Sequence, residues 1–343
     1  MKEAVLLPFG DKTHIEDLLG RLAKLVTEGR EEEFALLLPT SRLLHEYRHR
    51  LVRNVSRKLN LTTFDDLVAG ALIHSEPKVT EIDARTAKAV VSQILAARTG
   101  VLPALGRYAG SRAMAATLVY VLGQLRRAKI SIAELAQAGG ALGDQVLSDL
   151  LAVYEEYQAF LEERGLADIE RQYQLAAESL PAVPWLRKLK QVHVCWFFDF
   201  EPLQLDILAS LASGGAEMTV WLPFEHRAHT EYLQGTVGTL QEKGFAVRRA
   251  SGRGQGLLTE NLFLSPPQPV EISGVRGLAA PRRKQELELI AREIKKLVNG
   301  GVRPEKICLA IPQEKEYLPL LRRSFREQAI DISVPMAVAL VAV

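Results

Sequence analysis

Six short apolar runs alternate with helical patterns along this chain, and that alternation constrains the fold more than any other feature. The runs are Glu3–Leu7, Phe34–Leu38, Leu61–Phe64, Gln191–Phe198, Ala216–Leu222 and Phe245–Arg249, each ending near a proline, glycine or polar turn. Such an order predicts an α/β fold on a parallel, doubly wound sheet. Between Thr80 and Glu178 the strand pattern stops, and helices are predicted over Ile82–Thr99, Arg112–Lys129, Ile132–Ala138, Asp144–Arg164 and Ile169–Ser179. A helical block therefore interrupts the α/β region between its third and fourth strands, and Pro181 and Pro184 mark the return.

A second α/β unit is expected from about Pro269. It reads as a strand over Val270–Val275, a helix over Arg283–Val298 closed by Asn299-Gly300-Gly301, a strand over Ile307–Ile311, a helix over Glu314–Glu327 and a strand over Ile330–Val334. The Gly252-Arg253-Gly254-Gln255-Gly256 stretch reads as the linker before it. Its glycine spacing matches part of a dinucleotide fingerprint, but no strand-turn-helix context follows.

With 343 residues the chain has room for two or three domains. Its 43 basic and 41 acidic residues nearly cancel, so a nucleic-acid footprint has to be local. Cys195 and Cys308 both lie in apolar runs and read as small buried hydrophobes in a reducing compartment. No signal peptide opens the sequence, and the longest apolar stretch, Val334–Val343, falls far short of the roughly 20 residues that span a bilayer. A cytoplasmic protein without a membrane partner is expected. That last stretch carries no cap, charge or polar tail, which reads as a truncated chain with further domains beyond it.

The segment Leu6-Leu7-Pro8-Phe9-Gly10-Asp11-Lys12-Thr13 sits where a phosphate-binding loop belongs, between a strand and an amphipathic helix. A working loop reads G-x-x-x-x-G-K-[ST], so that backbone N–H groups wrap the phosphates while the lysine and hydroxyl reach the outer phosphates and magnesium. Aligned on Lys12-Thr13, the two glycine positions fall on Leu6 and Asp11. A side chain blocks one approach, and a carboxylate faces the phosphates at the other. The four residues Gly10, Asp11, Lys12 and Thr13 thus read as a degenerate nucleotide loop. Thr13-His14-Ile15-Glu16 also fits a helix-capping box, which serves the turn without any nucleotide.

Two acids, Asp199 and Glu201, follow the fourth run. They offer a weak metal reading, set against a simpler one as N-terminal residues of a helix with Pro202 at its first position. His226 and His229, three apart, lack evident third and fourth ligands.

The basic residues are more telling. Ser41–Leu59 reads as one long helix with an apolar stripe of Leu44, Tyr47, Leu51, Val52, Val55 and Leu59. Arg42, Arg48, Arg50, Arg53, Arg57 and Lys58, with His49 beside them, crowd its other faces, and Glu46 is the one acid. Such a cluster is an electrostatic footprint for phosphates or a solvated basic face. Arg126, Arg127 and Lys129 form a second, weaker cluster at a helix C-terminus, where cations also favour the dipole.

Several of these segments together resemble domain 1A of superfamily 1 helicases with its 1B insertion. The strand Phe34-Ala35-Leu36-Leu37-Leu38-Pro39 resembles the entry to motif Ia, Thr63-Phe64 matches the Thr-Phe of motif Ib, and QVHVCWFFDFEPLQLDIL (191–208) resembles the motif II strand and following helix. In form this last run is similar to AddB (RexB) subunits of bacterial helicase–nuclease complexes. Arg283–Ile290 through Ile307–Pro312 resembles the entry to domain 2A.

The resemblance implies a P-loop-NTPase-like (RecA-like) fold with domain 1A over 1–79 and 188–268, a helical 1B over 80–187 and the start of 2A over 269–343. It implies single-strand contacts at the start of the basic helix and around Thr63 and Phe64, with Phe64 offering a stacking surface. It also implies single-stranded or end DNA as a partner, an adjoining helicase–nuclease partner with an active ATPase, and a further nuclease region bearing an iron–sulfur cluster and magnesium. The expected function is a non-catalytic, DNA-binding helicase-like region in double-strand-break processing and recombinational repair. A divergent active ATPase and a protein-interaction scaffold without DNA contact remain as alternatives.

Overall fold

The computed structural model describes residues 1–8, 13–52, 58–142, 144–224, 232–251, 269, 271, 274–311 and 313–333. It divides into two compact units, Met1–Val270 and Glu271–Val343.

The first unit is built on β1 (Lys2–Leu7), β2 (Phe34–Leu37), β3 (Leu61–Thr62), β6 (Gln191–Cys195), β7 (Glu217–Pro223) and β8 (Ala246–Arg249), in the order β3-β2-β6-β7-β1-β8. Every pairing is parallel, with Lys2 opposite Met218, Glu3 opposite Ala246, Phe34 opposite Gln191, and Leu36 opposite Leu61. The interior strands are apolar on both faces, as a sheet covered on both sides requires. Alternation along each strand divides the core in two. Val5, Leu7, Phe34, Leu36, Cys195 and Trp221 point to one face, where α1 (Thr13–Thr27) and α2 (Ser41–Leu51) cover them. Ala4, Leu6, Ala35, Leu37, Val192, Val194 and Val220 point to the other, under α3 (Phe64–Leu72), α8 (Ile169–Ser179), α9 (Pro202–Ser213) and α10 (Tyr232–Glu242).

The helical block holds α4 (Ala84–Ala97), α5 (Arg112–Arg127), α6 (Ile132–Leu142) and α7 (Gln145–Glu163) around a separate core that includes Val91, Leu95, Leu122, Val153 and Tyr157. The block is not free of strands. Two-residue β4 (Thr80–Glu81) and β5 (Leu166–Ala167) pair in parallel across its neck, too short to leave a period in the sequence. Asp149, 2% exposed, accepts from the amides of Ala104 and Leu105, both at 2.8 Å, and so fixes the turn between α4 and α5.

Three other expectations need correction. The long basic helix stops at Leu51, because Val52 turns extended (φ −131°, ψ 130°), a conformation its branched side chain favours. The third strand ends at Thr62, and Phe64 opens a helix; Thr63 and Asp66 form a reciprocal capping box that redirects the chain at that point. In the second unit, α11 (Arg283–Asn299) and α12 (Glu314–Glu327) pack around Leu287, Ala291, Leu321 and Phe325. The predicted strand Ile307–Ile311 and the described part of Ile330–Val334 form no ladder, because the described residues supply no neighbouring strand. Leu309, Ile330 and Ile332 pack against the helix pair instead. The predicted strand over Val270–Val275 and the Gly252–Gly256 linker fall largely or wholly outside the described residues.

Candidate nucleic-acid interface at the carboxyl end of the sheet

The chain leaves β2 through α2 towards β3 on one side, and leaves β6 through α9 towards β7 on the other. The carboxyl ends of these neighbouring strands therefore form a switch point, the place where open α/β sheets bind ligands. Pro39-Thr40, Thr63 and Trp196 come together at this end.

A hydrolysing helicase needs carboxylates at the end of this strand to hold magnesium and orient water. Here β6 ends in Cys195, fully buried, with its thiol pushed up by desolvation. Trp196 follows in the left-handed region (φ 69°), an uncommon conformation for an aromatic residue, sustained only by its surroundings. Its indole N–H donates to the Tyr47 hydroxyl of α2. Tyr47 is 2% exposed, and burial raises its phenol to about 12, so it stays a neutral partner. Asp199 is exposed. Glu201 is the N-cap of α9, with its backbone N–H donating to Gln204 Oε1 at 3.1 Å and Pro202 at the first helical position. The residues at this strand end do not fit a magnesium–nucleotide site. Nor do the chain's two cysteines supply the four thiolates of an iron–sulfur cluster, and Cys308, expected to be buried, is exposed because its run forms no strand.

Aromatic rings fill the space beyond β6. Phe64 lies edge-on to Phe197 (centroids 5.3 Å) and to Phe200 (6.4 Å), and Phe197 stacks on Phe200 at 5.4 Å. Phe64, expected to offer a stacking surface, is 4% exposed and belongs to the core; the two phenylalanines from the β6–α9 loop cover it. Phe198, by contrast, is 44% exposed. Sequence reasoning did not single it out, although its place in the Trp196-Phe197-Phe198 run was a visible signal.

The basic residues are partly brought here. Thr40 caps α2, accepting from the Leu43 amide at 3.3 Å, and Arg42 is exposed in the first turn, where the helix dipole also favours anions. His49 and Lys58 are exposed. Arg50 is committed within the protein: it pairs with Glu16 of α1 and lies 5.5 Å from the Tyr47 ring. Thr63 is nearly buried and serves as the cap of α3. Thr13 lies in the first turn of α1. Gly10, Asp11, Lys12, Arg53 and Arg57 lie outside the described residues, as do His226 and His229.

The second basic cluster is a set of ion pairs rather than a footprint, because acidic residues of α8 and α9 face it. Arg126, 4% exposed, pairs with Asp168, Arg127 Nε donates to Glu170 Oε1 at 3.0 Å, and Lys129 Nζ reaches Asp206 Oδ2 at 2.8 Å.

Beneath this end of the sheet, His193 of β6 is held neutral by its two partners. Its Nε2 faces Gln191 Oε1 at 2.9 Å, and its Nδ1 accepts from the Trp221 indole at 3.4 Å, so a second proton would meet a donor. Burial and the nearby Arg21 charge lower its pKa to about 4. The unfolded chain binds a proton near pH 6.5, which the folded chain refuses until about pH 4. Stability is therefore complete above pH 6.5 and falls as pH drops from 6.5 to 4, by about 3 kcal/mol in all. Denaturant titrations across that window should show this slope, and His193→Gln should flatten it.

The parallel order, the helices on both faces and the interrupting helical block define a RecA-like helicase fold. The family described as "ADDB, N-terminal" matches residues 75–237. The chain is also 25% identical, over 260 residues, to the B-type member of the ATP-dependent helicase/deoxyribonuclease of Carboxydothermus hydrogenoformans (strain ATCC BAA-161 / DSM 6008 / Z-2901), an alignment that takes in 73% of this chain and 24% of that protein. By these likenesses the chain is AddB-like, and it spans about a quarter of the length of the curated relative it matches. Among the described residues, no helix is long and apolar enough to cross a membrane.

Proposed function

We propose that this chain is a DNA-handling, non-hydrolysing helicase-like region of a helicase–nuclease subunit that processes double-strand ends for recombinational repair. The observation that carries the reading is the end of β6. At the switch point, where ATP chemistry would require carboxylates, Cys195 is buried and Trp196 is bonded to Tyr47. What this end of the sheet offers outward is Arg42, His49, Lys58 and Phe198, three basic side chains and an exposed ring. Cations that follow a phosphate backbone, together with a ring for a base, are the means by which single strands are held. In this reading 1–79 and 188–268 correspond to domain 1A, 80–187 to 1B and 269–343 to the start of 2A. ATP hydrolysis belongs to a partner subunit, and nuclease chemistry, with any iron–sulfur cluster, to a region outside this sequence.

Binding of labelled single-stranded DNA across a salt series, with and without magnesium-ATP, tests it. Two or three phosphate contacts predict a log–log slope of about −1.5 to −2, at roughly 0.7 per contact. Magnesium-ATP should leave both affinity and slope unchanged. An ATP-dependent shift would favour a divergent nucleotide site, and salt-insensitive or absent binding would favour a scaffold.

A further inference from the structure

We propose that Arg127 is a positioning residue for the Trp196–Phe200 loop: by holding Glu201, it lets the helical block set how Phe198 is presented. What Phe198 meets rests on the function proposed above; the positioning itself does not.

The loop is pinned at both ends. Trp196 ties its start to Tyr47, and its far end is Glu201, the cap of α9. Between them Phe198 stands out while Phe197 and Phe200 face inward. Arg127, the last residue of α5, donates from Nε to Glu170 at 3.0 Å, and its Nη1 lies 3.8 Å from Glu201 Oε1.

Glu170 is what aims the guanidinium. It is 6% exposed, and burial raises its carboxyl, so its ionised form depends on the arginine beside it. Gly123 makes room for that carboxylate: a Cβ there would sit 3.0 Å from Glu170 Oε1. Two parallel ties secure the same neighbours. Lys129, held at φ 58°, reaches Asp206 of α9 at 2.8 Å, and the Tyr173 hydroxyl donates to Asp65 of α3 at 2.7 Å. The block thus grips α3 and α9, the two helices that bound the aromatic cluster.

Amide exchange over residues 196–204 in Arg127→Gln, Glu201→Gln and the double variant, measured without DNA, tests the inference. Glutamine at 201 keeps a side chain able to cap while losing the charge. Each single variant should speed exchange in the loop about threefold to fivefold, the scale of one solvated ion pair. The double variant should be no faster than either single, since the two residues act as one contact. Arg127→Lys should recover most of the protection by keeping a charge within reach. A merely structural Arg127 would instead loosen α5 and α8 and leave the loop indifferent to Glu201→Gln. Wild-type exchange in the single variants, or additive effects in the double, would overturn the proposal. Single-strand affinity should weaken by the same threefold to fivefold in both single variants. If the wild-type chain binds no DNA at all, the proposed function fails while the exchange cycle still decides the role of Arg127.

Discussion

Asp168→Ala should cost the helical block about 3–5 kcal/mol, a large share of any single domain's stability. Asp168 is 6% exposed and accepts from the Arg126 guanidinium, from the Tyr157 hydroxyl at 2.9 Å and from the Arg171 amide at 3.0 Å, the last as N-cap of α8. Removing it leaves a full positive charge in the interior, on a side chain whose Nε already lacks a hydrogen-bond partner among the described residues. A lost cap adds about 1 kcal/mol. Chemical denaturation, together with amide exchange in α7 and α8, measures the loss. Asp168→Asn keeps the cap and the tyrosine bond, and should fall between. Replacing both partners, Arg126→Met with Asp168→Leu, should recover most of the stability, because the cost lies in the unpaired charge rather than in the absence of the pair. A loss under about 1 kcal/mol in Asp168→Ala would show that Arg126 finds water instead.

Phe64 and Phe198 should separate stability from binding. Phe64→Ala removes a ring packed against Phe197 and Phe200 at the base of α3, and should destabilise the first unit by about 3–5 kcal/mol. Phe198→Ala removes an exposed ring, and should leave the melting temperature unchanged within error while weakening single-strand affinity by about 1–3 kcal/mol. Melting curves and titrations on the two variants give the four numbers. The assignment of Phe64 to the core fails if Phe64→Ala melts like the parent and loses DNA instead.

Much of the architecture was legible because it rests on local patterns. The strands at 34, 191 and 217 and the helices at 112, 169 and 314 begin within a residue of where periodicity and turns put them. Other elements depend on distant partners and left little local trace. Phe64–Leu72 hid behind the β-rich Leu61-Thr62-Thr63, and the capping box that starts it uses Asp66 in place of the more usual glutamate or glutamine. The apolar letters of Ile307–Ile311 suit a strand, but a strand needs a neighbour, and here the helix pair takes those side chains. At the candidate interface the missing carboxylates after β6 were plain in the sequence. The burial of Phe64 was not, because residues of the β6–α9 loop create it. Likewise Arg126 looked like a surface cation until Asp168, 42 residues later, was placed against it.

The order of the sheet also bears on how the chain comes to be folded during its synthesis. β1 and β2 do not touch; β6 and β7 lie between them, and β1 finds its partners at residues 218–223 and 246–249. The ribosome delivers the first two strands long before anything can pair with them. At roughly 5–20 residues per second, the wait is on the order of ten seconds or more. The helical block emerges in between with a core of its own, and it is the natural first piece to become compact. For that interval Val5, Leu7, Phe34 and Leu36 remain nascent, aggregation-prone edges, the kind of segment that chaperone holdases exist to cover.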